Sequence, residues 1–202
     1  MNIKKIILIS LGLIVLIWAC KYINDKYLSS SFEPKGSMCP KKMERSRVLW
    51  LSHVQKSREN LVDYLDNLHS VDYNPLLQIN NKMANFYVPA GDLSKENFAN
   101  ELNDYTRAIS EPNISGGELF DTQDLKEKNM NLATILASSL SNVNKEKIYN
   151  MLQTHVNNVT EQINFHLAKD HRDEHQAYEN TKKHIINLAD YLVSGIPCQC
   201  KI

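Results

Sequence analysis

The 202-residue chain has few of the features that build β-sheets, phosphate loops or nucleic-acid-binding surfaces. It contains six glycines, and alternation of β-branched with polar residues is almost absent, so an extensive sheet is not expected. The 23 basic and 23 acidic residues are interspersed, which leaves no basic face for a nucleic-acid partner. Neither a G-x-S-x-G turn nor a glycine-rich phosphate loop occurs. The composition therefore favours a helical protein without enzymatic activity.

Long apolar runs are also missing, with one exception at the N-terminus. Two of the first five residues are lysines, and they precede Ile6–Cys20, a run of fifteen residues without a charge. A basic start followed by an apolar core is typical of a signal sequence or a membrane anchor. Fifteen residues are fewer than the about 20 that cross a bilayer as a helix, but flanking lysines can reach the interface and lengthen the span. We interpret residues 1–26 as an uncleaved signal-anchor, which predicts a single-pass membrane protein with an extracytoplasmic domain.

Two alternatives to the uncleaved anchor stay open. Ala19 precedes Cys20, and Ile17 lies three residues before the cysteine, a pattern similar to a bacterial lipoprotein signal in which Cys20 carries the lipid. Trp18 fits that pattern poorly, because a smaller residue is usual there. The other alternative is an ordinary cleaved signal peptide. Since lysines flank the run on both sides, the charges do not decide its orientation.

Helical periodicity begins after a short polar segment. Residues 27–42 contain serine, glycine and proline without apolar periodicity, and they are expected to form a flexible tether. Across residues 43–196, apolar side chains recur at three- and four-residue spacing. The expected fold is all-α, an antiparallel bundle of five or six helices preceded by the membrane-anchoring helix. The first bundle helix is predicted at Met43–Leu68 and the last at Asp173–Gly195.

Three cysteines lie outside the apolar run. Cys39 falls in the tether, and Cys198 and Cys200 belong to the C-terminal tail, residues 197–202. In a bundle with an even number of helices, the first helix starts at the end where the last helix finishes. We therefore expect one disulfide in an oxidising compartment, from Cys39 to Cys198 or Cys200. Free thiols on a frayed tail are the alternative.

The histidines are the most informative polar residues. His53, His155 and His184 fall on or beside the apolar faces of their helices, and bundles hold metals with inward histidines and carboxylates. The paired Glu-x-x-His motifs of di-metal bundles are missing, so hydrogen-bonding histidines are the preferred interpretation and a metal site is the alternative. An H-x-x-E-H pattern at His171–His175 lies in an entirely charged segment, which predicts a solvated turn rather than a protease site.

Several phrases resemble an uncharacterised all-helical bacterial family. They are Leu49-Trp50-x-x-His53-Val54-x-x-Ser57-Arg58, Asn131-Leu132-Ala133, Met151-Leu152-x-x-His155-Val156 with Thr160, and Tyr178 followed by His184-Ile185-x-x-x-Ala189-Asp190-x-x-x-x-Gly195-Ile196. Members of that family tend to carry L-W-x-x-H-V-x-W-T-R, M-L-x-x-H-L-x-x-T and M-A-D-x-L-x-x-G-I. The resemblance covers Leu49–Gln199. It implies a helical bundle and no particular activity.

The shared phrases predict one polar cluster inside the bundle. A carboxylate, Glu101 or Asp104, stands where the family has a middle-helix histidine. The candidate members are His53, Arg58, Glu101, Asp104, His155, Tyr178 and His184. At least three of the histidine, arginine and tyrosine members are expected to lie within one side-chain length of each other and to be largely buried. An inward Arg58 needs a carboxylate partner, and the candidates by position are Glu101, Asp104, Glu161 and Asp190.

Two functions remain open at the level of sequence. The first is a membrane-anchored helical bundle, attached through residues 6–20, that binds a protein partner or a small ligand. The alternative is a metal-binding or metal-dependent bundle that uses His53, His155, His184 and a carboxylate. No cofactor is specified by any motif.

Overall fold

The structure, a computed structural model, describes residues 39–66, 71–89, 94–113 and 119–197. Within these ranges the chain forms helices and no strands, which confirms the predicted all-α class. The six helices are α1 (Pro40–Leu65), α2 (Asn74–Tyr87), α3 (Ser94–Ser110), α4 (Thr122–Ser139), α5 (Lys145–Leu167) and α6 (His171–Val193).

The predicted membrane anchor and most of the tether lie outside the described residues. The described helices include none that is long and apolar enough to cross a bilayer. Cys198 and Cys200 also lie outside the described residues. Cys39 lies within the described residues and forms no disulfide there.

Short local signals start the helices. A proline occupies the first turn of both α1 and α2. The missing N–H of proline costs nothing there, because the N–H groups of the first turn make no bond within the helix. The side chains of Asp121, Asn144 and Asp170 cap the last three helices by accepting backbone N–H groups of α4, α5 and α6 at 2.9–3.2 Å. These caps explain why the three helices begin where they do.

The starts of two helices differ from the sequence prediction because of the same first-turn signals. Helix α1 begins at Pro40 rather than at Met43, and α6 begins at His171 because Asp170 caps it. The charged segment that was expected to be a solvated turn therefore forms the first turns of α6. That expectation is wrong for Glu174 in particular, which is only 6% exposed.

The helices pack in chain order, and the last returns to the first. Each helix contacts the next along the chain, α6 closes the ring against α1, and α1 also touches α3. Helices α1 and α6 run antiparallel: Ser46 bonds Ala189 near one end, and Arg58 bonds Glu174 toward the other. Lys42 Nζ donates to the carbonyl of Pro197 at 2.6 Å. The start of α1 and the end of the described domain therefore meet, as an even number of helices requires.

Gly195 allows the end of α6 to approach the connection between α4 and α5. Its carbonyl accepts the N–H of Ser141 at 3.0 Å. A Cβ at this position would lie 2.6 Å from the backbone oxygen of Ser141, so any other residue would push the two segments apart. The glycine serves close backbone approach here, after α6 has already ended at Val193.

Candidate functional site

A first buried network joins α1, α2 and α6 and has its bonds satisfied. The indole of Trp50 donates to Tyr87 Oη at 2.9 Å, and Ser46 Oγ donates to the carbonyl of Ala189 at 2.9 Å. Because the single hydroxyl proton of Ser46 is used in that bond, Tyr87 must donate its own proton to Ser46, 2.5 Å away. Burial raises the pKa of Tyr87 and keeps it neutral. This network therefore has a structural role.

A second network holds His53 in one tautomer. Thr106 Oγ1 donates to the carbonyl of Leu102 at 2.5 Å, so it accepts from Asn80 Nδ2 at 3.3 Å. Asn80 Nδ2 also donates to Asn103 at 2.9 Å. The amide oxygen of Asn80 therefore faces His53, whose Nδ1–H donates to it at 2.7 Å. The other ring nitrogen, Nε2, is buried and has no hydrogen-bond partner among the described residues. Burial lowers the pKa of His53 to about 4, and the bond to Asn80 opposes that shift.

His155 on α5 is more isolated than His53. It is 1% exposed, and neither ring nitrogen has a hydrogen-bond partner within the described part of the chain. The ring of Tyr105 lies 6.2 Å from it, centroid to centroid. Burial lowers the pKa of His155 to about 3, with smaller contributions from His53 and His184. His155 is therefore a neutral imidazole that offers one donor and one acceptor.

A small cavity lies beside His155, between α1, α3, α5 and α6. Its volume is about 10 Å³, which is room for about one water molecule. Five buried polar atoms in its wall have no hydrogen-bond partner among the described residues. They are Ser57 Oγ, Arg58 Nε, Ser110 Oγ, and both ring nitrogens of His155. Polar atoms from three helices thus converge on one small space.

Unpaired buried polar atoms at this density are costly. At about 1–3 kcal/mol each, five of them would cost roughly 5–15 kcal/mol, as much as the whole stability of a typical domain. Native proteins almost always give such groups a partner from protein, water or ligand. The cavity is therefore the place where the sequence specifies more than packing.

Arg58 links the cavity to a charged cluster around Glu174. Its Nη2 bonds Glu174 Oε1 at 2.9 Å, and its guanidinium carbon lies 4.7 Å from the ring centroid of Tyr178. The second carboxylate oxygen of Glu174 is 3.4 Å from His166 Nδ1 and 3.6 Å from His171 Nδ1. Glu174 is therefore shared between one arginine and two histidines.

The predicted carboxylate partners of Arg58 are corrected by this pair. Glu174 takes the role because the first turns of α6 face α1. Asp190 instead forms a two-bond pair with Arg47, at 2.7 Å for each bond. Glu161 is exposed.

Glu101 and Asp104 do not join the interior cluster. The inner face of α3 is formed by Leu102, Tyr105 and Thr106, which leaves positions 101 and 104 on another side of the helix. Glu101 accepts from Asn131 of α4 at 3.2 Å, and Asp104 is exposed. Both belong to a polar surface groove between α3 and α4.

The other predicted members lie around His155: Arg58 shares its cavity, and His53 and His184 are close enough to contribute to its lowered pKa. Arg58 and His155 line the same cavity, and Tyr178 contacts Arg58 from outside it. His184 is held by the backbone, since its Nε2 bonds the carbonyl of Met151 at 2.8 Å. Burial lowers the pKa of His184, and that bond opposes the shift. Among the described residues, no group of three or more His, Cys, Asp or Glu is arranged to hold a metal ion.

Sequence reasoning missed Asn80, Ser57 and Ser110 as parts of the site. Each is a small polar residue at a position of its helix that faces the core. Asn80, for example, stands between the buried Leu76 and Met83 at helical spacing. A polar side chain inside an apolar stripe was the available signal.

Comparison with known proteins finds no family model, curated protein or solved structure that matches this chain. The resemblance to the helical bacterial family stays a prediction, and the cavity is interpreted from its own chemistry.

Proposed function

We propose that this chain is a membrane-anchored helical bundle whose interior cavity binds a small polar ligand. The observation that carries the proposal is the convergence of unpartnered polar atoms from Ser57, Arg58, Ser110 and His155 on one cavity. A bundle selected only for stability would place apolar side chains there, since replacing buried polar groups by well-packed apolar ones is often neutral or stabilising.

A small ligand is favoured over a docked protein by the surface of the described residues. The large apolar side chains that are exposed there are Val48, Tyr64, Met130 and Leu167. They come from three different helices and include no run of neighbours at helical spacing. Interaction surfaces for proteins usually present a contiguous apolar patch.

A ligand that occupies the cavity is expected to raise the melting temperature of the full-length chain, because binding to the folded state alone stabilises it. The probes are formamide, sodium chloride and ammonium gluconate. Each is compared at equal ionic strength with sodium gluconate, whose ions offer neither a halide nor a small amide. In Ser110→Val, the added methyl groups fill the cavity, and any response to a probe should disappear.

The matched control for that experiment is Ser138→Val, a change of the same kind at an exposed helical serine. It should keep the response of the native chain. The proposal fails if none of the three probes shifts the native melting temperature, or if Ser110→Val responds like the native chain.

The unpartnered His53 Nε2 and the free nitrogens of His155 keep a metal-binding function as the second candidate. Elemental analysis of the full-length chain, purified without an affinity tag, separates the two candidates. We expect no stoichiometric metal. A stoichiometric metal that is lost in both His53→Gln and His155→Gln would favour the second candidate.

The membrane attachment rests on the apolar run at residues 6–20. We expect the native chain to stay with the membrane fraction through alkaline carbonate washing, and the double variant Leu13→Arg, Leu16→Arg to be released, because two central charges oppose insertion. Release of the native chain would refute the anchor. Incorporation of labelled palmitate that Cys20→Ser abolishes would establish the lipoprotein alternative instead.

The disulfide remains a proposal that the contact between Lys42 and Pro197 supports. That bond joins the side chain of Lys42, three residues after Cys39, to the residue that precedes Cys198. Peptide mapping of the unreduced chain should recover Cys39 linked to Cys198 or Cys200. Complete alkylation of all three thiols without a reductant, in protein recovered from an oxidising compartment, would contradict this expectation.

A further inference from the structure

The wall of the cavity presents more donors than acceptors. Arg58 Nε–H can only donate, the hydroxyls of Ser57 and Ser110 each have a proton to give, and neutral His155 adds one N–H. The groups that accept without also donating are the second nitrogen of His155 and the side-chain oxygen of Gln162. A species that accepts hydrogen bonds from several sides matches this wall better than a species that must donate.

Two other polar groups of the wall are already committed. Gln162 Nε2 donates to Thr181 Oγ1 at 2.7 Å, and Thr181 donates in turn to the carbonyl of Ala177 at 3.0 Å. Gln162 Nε2 also donates to the carbonyl of Asn158 at 3.3 Å, so these groups add no free proton, although the side-chain oxygen of Gln162 is an acceptor. The unsatisfied chemistry of the cavity is therefore that of Ser57, Arg58, Ser110 and His155.

Arg58 supplies the only formal charge in the wall. It meets Glu174 through Nη2, while its Nε is buried and has no hydrogen-bond partner among the described residues. Glu174 also lies close to His166 and His171 through its other oxygen. One edge of the guanidinium is therefore available to a second anion while the Glu174 bond stays in place.

Arg58 also controls access to the cavity. Every other lining residue is buried, whereas the side chain of Arg58 is 32% exposed. Tyr178 supports that side chain, and Lys182 Nζ lies 5.0 Å from the ring centroid of the same tyrosine. Lys182 pairs with Glu179 at 2.6 Å, as Arg58 does with Glu174 at 2.9 Å, so the access point carries no excess of positive charge.

We propose that the cavity is a binding site for one small monovalent anion of halide size. Arg58 Nε, the hydroxyls of Ser57 and Ser110, and the N–H of His155 are its donors, and the Arg58 side chain is its gate. This inference rests on the proposed function, because it names the ligand class of the same cavity. The volume of about 10 Å³ is close to that of one water-sized probe, so among monovalent anions it favours a single-atom ion over a polyatomic one.

The test compares melting temperatures in sodium chloride and sodium gluconate at equal ionic strength for the full-length native chain and two arginine variants. Arg58→Gln removes the charge and the Nε donor. Arg47→Gln is the matched control, since Arg47 is also on α1 and also pairs with a carboxylate of α6 but does not line the cavity. Chloride should raise the melting temperature of the native chain and of Arg47→Gln, and the rise should be lost in Arg58→Gln.

A second variant keeps the inference testable if Arg58→Gln does not fold. Ser57→Ala with Ser110→Ala removes two donors and breaks no bond among the described residues, so the fold is retained and the chloride response should fall at least severalfold. Equal melting in chloride and gluconate for the native chain overturns the inference, and so does an undiminished chloride response in either variant. If formamide stabilises the native chain and chloride does not, the inference of an anion site is wrong, but the proposal that the cavity binds a small polar ligand is supported. If neither acts, and ammonium does not either, both fail.

Discussion

Acidification is expected to remove several kcal/mol from the free energy of unfolding before the carboxylates are fully protonated. His53 and His155 are neutral in the folded chain, because burial lowers their pKa values to about 4 and about 3. In the unfolded chain a histidine titrates near about 6.5. Between these values the unfolded state binds more protons, so the free energy of unfolding rises with pH. The stabilisation is fully present above the unfolded pKa and is lost as the pH falls through the folded values.

The expected loss of free energy of unfolding is large for an effect of two histidines. Two protons correspond to a slope of at most about 2.7 kcal/mol per pH unit, or about 4 kcal/mol by pH 5. Urea unfolding followed by tryptophan fluorescence, at a series of pH values, measures it. His155→Gln should reduce the slope by about one proton, whereas His175→Gln, at an exposed position of α6, should leave it unchanged. An identical slope in the native chain and in His155→Gln would show that His155 does not titrate as described.

Asn80→Ala is expected to destabilise the bundle by about 3–5 kcal/mol, since it leaves two or three buried groups unpaired at about 1–3 kcal/mol each. Asn80 is fully buried and joins His53 on α1 to Asn103 and Thr106 on α3. The adjacent Asn81→Ala is the matched control, because Asn81 is the same residue type, on the same helix, and exposed. Its effect should stay within about 0.5 kcal/mol.

Asn80→Ala is also expected to change the tautomer of His53, which a change in packing alone would not do. Asn80 fixes the proton of His53 on Nδ1, so nitrogen NMR of the imidazole should report the Nδ1–H tautomer in the native chain and a mixture in Asn80→Ala. If the two variants at positions 80 and 81 are equally stable, or if the tautomer does not respond, the buried network does not hold His53 as described.

The helices could be predicted from sequence because their signals are local. Apolar spacing placed His53 and His155 on inner faces, and both are buried. The starts of α1 and α6 moved to the positions that Pro40 and Asp170 set, and the two helices end at Leu65 and Val193 rather than at Leu68 and Gly195. Such signals act within one or two turns of a helix and need no knowledge of the neighbouring helices.

The partner of Arg58 could not be predicted in the same way. It depends on how α6 is rotated about its axis and how far it slides along α1, and both are set by packing across the whole bundle. Glu174 was also hidden in a run of charged residues that resembles a surface turn. The same holds for Ser57 and Ser110. Whether a buried serine has a hydrogen-bond partner depends on the groups that the fold places around it, and the sequence does not show those groups.

The contact between α1 and α6 has a consequence for the folding of this protein during its synthesis on the ribosome. Ser46 and Arg47 find Ala189 and Asp190 across 143 residues of chain, so the first bundle helix to emerge must wait for the last. Contacts between such distant positions slow folding, and an apolar surface that waits uncovered invites aggregation. A nascent chain that has not yet released α6 therefore leaves exposed the face of α1 that α6 covers in the folded bundle.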